Sequence, residues 1–374
     1  MSVRDLPDYP WDAVVPFRER ASAHADGLVD LSVGSPVDAT PEIIRRALAE
    51  ATDAHAYPQT VGTPALREAI VSWYARRRGV DDLTVANVLP TIGSKEFVAL
   101  LPTLLGLGEG DIVVHPEIAY PTYDVGARVV GATPLPADDP ADWPEGTKLI
   151  WINTPGNPDG RTWTVAELAA AVRRARELDA VIASDECYAE LGWDGAWATE
   201  AIPSILDPRV TGGSRANLLS VYSLSKQSNL AGYRAAFVAG CARIVADLLT
   251  ARKHLGLMPP EPVQHAMAVA LGDDEHVAVQ KELYRERRDL LRPAVEAAGF
   301  RLDGSEAGLY LWVTEGRDAW ESMSRLADLG ILAGPGPFYG VGAASHVRLA
   351  LTAPTERVAE AARRLHAAAS GENL

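Results

Sequence analysis

Residues 223–234 read SLSKQSNLAGYR, with Lys226 following Ser-x-Ser and Arg234 eight positions later. The segment lies between two short apolar runs, Leu218–Tyr222 and Ala235–Ala239. Brief apolar runs bounded by polar loops read as strands buried on both faces. Upstream, Ile112–His115, Leu149–Asn153 and Val181–Ser184 have the same character, and Val129–Ala132 reads as a further strand. Helical stretches separate them; one opens at Thr164 with Glu167 three residues on, a capping box. Strands alternating with helices imply an α/β fold built on a mostly parallel sheet flanked by helices. Active residues in such sheets lie beyond the carboxyl ends of the strands. Three polar segments occupy such ends: Asn157-Pro158-Asp159-Gly160, Ser184-Asp185-Glu186-Cys187-Tyr188, and Ser223-Leu224-Ser225-Lys226. Taken singly they read as a turn, a helix cap and an exposed lysine. Their succession after consecutive strands favours a shared site.

The first forty residues are rich in Pro and Asp and read as an arm with at most one short helix, ending in the turn Gly34-Ser35-Pro36. Thr40-Pro41 and Thr63-Pro64 each read as an N-cap followed by proline in the first helical turn. Leu66, Ile70, Trp73 and Tyr74 then share one helix face, and Ser94 opens a helix with Phe97, Leu100, Leu101 and Leu104 inward. After residue 272 the rhythm changes. Residues 275–298 read as a long charged helix, followed by strand 309–313, helix 317–329, strand 346–351 and helix 354–369. The expected division is an N-terminal arm (1–40) belonging to a small unit, a large domain (41–272), and a small α+β domain (273–374).

The chain has 374 residues, 35 basic against 50 acidic, and a formal charge of −15. That balance argues against nucleic acid or an anionic membrane surface as partner, because both reward a basic face. Two cysteines, Cys187 and Cys241, offer neither a disulfide framework nor metal-ligand spacing, so no metal is expected. No apolar run suits a signal peptide or a membrane span, so a cytoplasmic setting is the expectation. The five lysines are Lys95, Lys148, Lys226, Lys253 and Lys281. Lys148 precedes a strand, and Lys253 and Lys281 sit in arginine-rich helical patterns.

With these motifs the sequence resembles the fold-type I pyridoxal-phosphate (PLP) enzymes, specifically the class I/II aminotransferases. The resemblance runs from Gly34 to the C-terminus. It is carried by AYPQTVGTPALREAI with Tyr57, GSKE at 93–96, AYPTY at 119–123, NTPGNPDG, SDECY, SLSKQSNLAGYR and the late Arg348. The phrases LPDYPWDAVVPFRERA and HPEIAYPTYDVGARVVGA resemble actinobacterial N-succinyldiaminopimelate aminotransferases in particular.

The resemblance implies a large PLP-binding domain, a smaller α+β domain and a transaminase. Lys226 would hold the cofactor covalently and act as base. Asp185 would face the pyridine nitrogen, and Tyr188 and Asn157 would hydrogen-bond the ring phenolate oxygen. Ser94 and Lys95, at a helix N-terminus, would bind the phosphate together with Ser223, Ser225 and Arg234. Tyr120 would stack on the ring. Tyr57 would reach the phosphate of a neighbouring subunit, which implies a homodimer with a shared active site. Arg348 would hold the substrate α-carboxylate, with Asn157 beside it, and Gly34 would let backbone approach the substrate. The implied partners are an amino donor and a 2-oxo acid such as 2-oxoglutarate. Within the family, N-succinyl-LL-2,6-diaminopimelate in lysine biosynthesis is the favoured donor; aspartate, aromatic or LL-diaminopimelate aminotransferases stay open, as does a PLP-dependent C–S lyase. A regulator built on the same fold is disfavoured by the acidic charge. Arg18, Arg20, Arg128 and Arg161 are candidates for distal carboxylates of the substrate.

Overall fold

A computed structural model describes residues 10–371. The phrase LPDYPWDAVVPFRERA therefore enters at Pro10, and its residues 6–9 lie outside the described residues. Helix α1 (Val15–Ser22) and the two-residue strand β1 (Val29–Asp30) come first, followed by α2 (Glu42–Glu50) and α3 (Pro64–Arg78). Thr63 caps α3 as expected, its hydroxyl accepting the Leu66 N–H at 3.3 Å. Thr40 does not cap α2. Pro41 is extended (ψ 142°), so the helix starts at Glu42, and the Thr40 hydroxyl donates to the Asn229 carbonyl at 3.2 Å.

The central region contains β2 (Val88–Ile92), α4 (Ser94–Leu104), β3 (Ile112–His115), α5 (Thr122–Val130), β4 (Thr133–Pro136) and β5 (Thr147–Asn153). It continues with α6 (Val165–Glu177), β6 (Val181–Asp185), α7 (Pro208–Thr211), β7 (Leu218–Ser223), α8 (Leu224–Gln227) and β8 (Ala235–Gly240). The seven strands form one sheet in the order β2-β8-β7-β6-β5-β3-β4. All neighbours are parallel except β8, which runs antiparallel to both β2 and β7. The Thr164–Glu167 capping box at the start of α6 is present in full.

The expected strand at 129–132 is not there. Val129 and Val130 are the last residues of α5, Gly131 (φ 82°) stops the helix in the left-handed conformation, and the strand is Thr133–Pro136. Strand β2 escapes a sequence reading because Pro90 interrupts it. Proline removes a ladder donor and is tolerated only at an edge. Both edges of this sheet carry it, Pro90 in β2 and Pro134 and Pro136 in β4, which also blunts edge-to-edge pairing.

Helices cover both faces of the sheet. Trp73, Ile150, Leu168, Tyr222 and Phe237 belong to the core on one face, and Phe97, Tyr123, Leu149, Trp151 and Val238 to that on the other. Beyond α9 (Ala242–Leu255) and α10 (Glu261–Gly272) come α11 (Glu275–Ala297), β9 (Arg301–Leu302), β10 (Tyr310–Thr314), α12 (Ala319–Asp328), β11 (Ile331–Leu332), β12 (Gly334–Pro335), β13 (His346–Ala350) and α13 (Thr355–Ser370). Here the antiparallel sheet β12-β13-β10-β9 and helices α11 and α13 share a separate apolar cluster. Strand β1 pairs with β11, and Val29 and Leu31 are buried in that same cluster. No helix among the described residues is long and apolar enough to cross a membrane.

Candidate active site

A cavity of about 1030 Å³ opens beyond the carboxyl ends of β5, β6 and β7. Register places its floor. Asn153 at the end of β5 lies beside Asp185 at the end of β6. Ser223 ends β7 and pairs with Ala236 of β8. Because β8 runs the opposite way, the residue before it, Arg234, falls at the same edge as Lys226. Arg234 adopts φ 57°, a left-handed backbone that costs a non-glycine residue of order 1–3 kcal/mol. Its guanidinium lies against Gly93, where an added Cβ would collide with it. Gly93 itself needs φ 77°.

The three consecutive segments converge. Lys226 sits in α8 and its Nζ donates to the Gly34 carbonyl. Burial lowers the Lys226 pKa, as do the charges of Arg348 and Arg234, while Tyr310 and Cys187 oppose the shift. The neutral amine, which is the nucleophile and base, is thereby favoured. Asp185 is buried; Oδ2 accepts from the Tyr123 hydroxyl at 2.9 Å and Oδ1 from the Cys187 N–H at 3.2 Å. Burial raises its pKa despite those two bonds. Tyr188 is buried, and its hydroxyl lies 3.2 Å from that of Tyr310.

Arg348 projects from β13 and is 4% exposed. It donates to Asn157 Oδ1 at 2.9 Å and to the Ser32 carbonyl at 2.7 Å, and stacks at 3.9 Å over the Tyr310 ring. Its Nε is buried without a partner. A guanidinium only donates, so Asn157 must turn its oxygen toward Arg348, which leaves the amide N–H groups free for the cavity. Asn153 braces the region: its Oδ1 accepts the Asn157 N–H at 2.8 Å and its amide donates to the Asp185 carbonyl at 2.9 Å.

Ser94 and Lys95 start α4, whose N-cap is Gly93 with no side-chain cap, so its first N–H groups remain available. Ser223 donates to Ser225 at 2.8 Å, and Tyr120 lies beneath Lys95 Nζ at 5.8 Å from the ring centroid. All of these line the cavity. Tyr57 does not; it is 95% exposed on this chain's surface. Of the four distal-carboxylate candidates only Arg18 lines the cavity, bonded to Asp30 at 2.8 Å. Arg20 pairs with Asp328, Arg128 with Asp124, and Arg161 with Asp138 and Glu167, all outside it. Residue patterns alone did not single out Tyr123, Asn153 or Tyr310. Tyr123 lies inside the AYPTY motif, and the other two sit at strand positions that read as core.

The family model of the class I and II aminotransferases matches residues 26–365. The chain belongs to this family. It is 51% identical over 97% of its length to the whole of the 4-dedimethylamino-4-oxo-anhydrotetracycline transaminase OxyQ of Streptomyces rimosus. It is 53% identical over 96% of its length to 85% of the probable aminotransferase Rv1178 of Mycobacterium tuberculosis. The LL-diaminopimelate aminotransferase of Aquifex aeolicus shares 35% identity over 96% of each chain. Among solved structures, an aminotransferase from Staphylococcus aureus superposes with a TM-score of 0.87 at 26% identity, covering 99% of both chains.

The protein is a PLP-dependent transaminase of fold type I. Its residues fit the cofactor on charge alone. Asp185 is a buried carboxylate with no cationic partner, and Arg348 a buried guanidinium with no carboxylate partner, among the described residues. An unpaired buried charge is costly unless a ligand meets it. A protonated ring nitrogen answers the first and a substrate carboxylate the second. The uncapped α4 N-terminus, Ser223, Ser225 and Arg234 together make a donor set suited to a phosphate dianion.

Proposed function

We propose that the enzyme transfers an amino group from N-succinyl-LL-2,6-diaminopimelate to 2-oxoglutarate in lysine biosynthesis in the cytoplasm. The charge of the cavity wall carries this reading. Among the described residues its cations are Arg18, Lys95, Arg234 and Arg348, against one carboxylate, Asp185; with Arg234 on the phosphate and Arg348 on the α-carboxylate, Arg18 and Lys95 remain for further carboxylates. Asp185 is committed to the cofactor. A donor with several carboxylates and its distal amine acylated suits that wall. Free LL-diaminopimelate would bring a second ammonium with no further acidic partner among the described residues of that wall.

PLP, when bound, supplies the electron sink that makes the donor's α-hydrogen acidic. The chain does the rest. The α4 N-terminus, Ser223, Ser225 and Arg234 hold the phosphate, and Tyr120 covers the ring. Asp185 keeps the ring nitrogen protonated, and Tyr188 and the Asn157 amide donate to the phenolate oxygen. Arg348 and Asn157 fix the substrate α-carboxylate and so orient the reacting C–H bond. Lys226 Nζ takes the α-proton and returns it. Residues 1–40 and 273–374 act as a small unit closing over 41–272 to exclude water. The pairing of β1 with β11, and the apolar cluster that Val14, Val29 and Leu31 share with β10, β13 and α13, support the joining of the described arm to that unit, although Cys187, Tyr188, Leu191 and Trp193 of the large domain belong to the cluster too. Tyr57, far too exposed for a lone tyrosine, completes the phosphate site of a second copy in a homodimer.

A donor panel with 2-oxoglutarate as acceptor tests the substrate. Activity is expected on N-succinyl-LL-diaminopimelate and not on LL-diaminopimelate, aspartate or aromatic amino acids; the reverse overturns the reading. The 51% identity to OxyQ favours one second reading, an amine exchange on a polycyclic ketone like that relative's named substrate. That ketone belongs in the acceptor panel. Pyruvate and ammonia from a cysteine conjugate would mark a C–S lyase instead.

A further inference from the structure

We propose that Tyr310 is a positioning residue for cofactor chemistry, its hydroxyl aiming the single Tyr188 proton at the cofactor's phenolate oxygen. The inference rests on the role proposed above for Tyr188.

Tyr310 opens β10, where it pairs with Ala350, and Arg348 sits across from Trp312 in the same ladder. Residues directly opposite, and those two positions along, share a sheet face, so Tyr310 and Arg348 meet diagonally. The guanidinium covers the ring at 3.9 Å. On another side, an added Cβ at Gly34 would collide with the Tyr310 hydroxyl, which is therefore seated directly on Gly34. Its hydrogen-bond partner is the Tyr188 hydroxyl at 3.2 Å. The ring is held on three sides, and the Tyr188 hydroxyl is the hydrogen-bond partner of its hydroxyl among the described residues.

Proton counting then assigns the chain of donors. A tyrosine hydroxyl carries one proton. If Tyr188 gives its proton to the cofactor oxygen, it can only accept from Tyr310. The charged and titratable groups around Tyr310 agree with that direction. Burial pushes its pKa up, but the Arg348 guanidinium foremost outweighs it and brings the phenol below its ordinary value, while Cys187 opposes that shift. Tyr188 is pushed the other way by burial and by Tyr310. The more acidic hydroxyl is the better donor and the less acidic one the better acceptor. Linked hydrogen bonds polarise one another, so Tyr310 strengthens what Tyr188 gives the cofactor.

The test is a spectrophotometric pH titration of the cofactor absorbance band in four holoenzymes: wild type, Tyr188→Phe, Tyr310→Phe and the double variant. A hydrogen bond to the phenolate drains charge that otherwise holds the proton on the nitrogen joining Lys226 to the cofactor. Weakening it raises the midpoint. Tyr310→Phe keeps the stacked ring and is expected to raise the midpoint by about half to one pH unit. Tyr188→Phe should raise it further, and the double variant should match Tyr188→Phe, because Tyr310 acts only through Tyr188. An unchanged midpoint in Tyr310→Phe, or additive shifts in the double variant, overturns the inference while leaving the Tyr188 assignment standing. An unchanged midpoint in Tyr188→Phe removes that assignment and this inference with it. Carboxylate binding is a separate readout: the donor KM should stay near wild type in Tyr310→Phe, since Arg348 keeps its ring.

Discussion

Arg348 donates to Asn157 Oδ1 across 2.9 Å, tying residues 191 positions apart into one binding element. One side chain comes from the antiparallel sheet and the other from the loop after β5. The bond also divides Asn157, whose oxygen serves Arg348 and whose amide faces the cavity. Removing the guanidinium takes away the α-carboxylate anchor and frees that amide to turn. Arg348→Ala is expected to lower kcat/KM by roughly 10²–10³-fold, the worth of two charge-assisted hydrogen bonds. Arg348→Lys keeps the charge but loses the planar fork, and recovers only part. Steady-state kinetics beside an unchanged cofactor spectrum would separate a lost substrate handle from a lost cofactor.

The Tyr123 hydroxyl donates to the Asp185 carboxylate, as does the Cys187 N–H. Burial already raises the Asp185 pKa, and removing a donor raises it further. Tyr123→Phe preserves the stack on Trp151, whose centroid is 5.1 Å away, so the fold should hold. A hydrogen bond to a charged group is worth about 1.5–3 kcal/mol. The cofactor dissociation constant is expected to rise about tenfold or more, read by absorbance or fluorescence titration of the apoenzyme. An unchanged constant would mean that Tyr123 does not support the anion.

The fold and the convergence of several candidate residues on one cavity were legible because they are written locally. Asn157, Asp185, Tyr188 and Lys226 stand at or just beyond successive strand ends, and a parallel sheet brings such ends together whatever its exact register; Arg234 joins them because β8 runs antiparallel. Tyr123, Asn153 and Tyr310 depend on contacts that only the folded chain creates. Tyr310 begins an apolar strand, and its diagonal to Arg348 exists only in the β10–β13 register. The same limit applied to the arginines. Nothing local distinguishes Arg18 from Arg20, yet the first lines the cavity and the second pairs with Asp328 outside it. Pro90 and the Val129-Val130 pair misdirect for the opposite reason, since edge position and a glycine stop override their local preference.

Gly34 is the point where the N-terminal arm presses on the site. A Cβ there would collide with the Tyr310 hydroxyl and lie 2.9 and 3.0 Å from its Cζ and Cε1. Tyr310 cannot swing away, being held by Arg348 and Tyr188. Gly34→Ala is expected to cost about 1–3 kcal/mol of stability, as overpacking does. It should also lower kcat, because the Gly34 carbonyl holds Lys226 Nζ. Combining it with Tyr310→Phe removes the worst clash but not the ring-carbon contacts. The double variant should therefore regain part of the lost melting temperature, a non-additivity that identifies the colliding pair.

Acid stability has a readable contribution outside the cavity. Asp303 takes hydrogen bonds from Arg301 at 2.7 and 2.8 Å and is bridged to His346 Nε2 at 2.9 Å. Arg301 foremost, with His346, holds its carboxyl down to about 2. The unfolded value is about 3.9. A folded pKa below the unfolded one stabilises the protein above the unfolded value, and the contribution fades as pH falls from about 4 to about 2. Asp303 is about a third exposed, so screening limits the gain to about 1 kcal/mol or less. Asp303→Asn should lower the urea midpoint at pH 6, lose that difference by pH 2, and show a smaller difference in high salt. A deficit that persists unchanged at pH 2 would assign the loss to packing around His346 and Trp312, which stack at 4.8 Å, rather than to the carboxylate's charge.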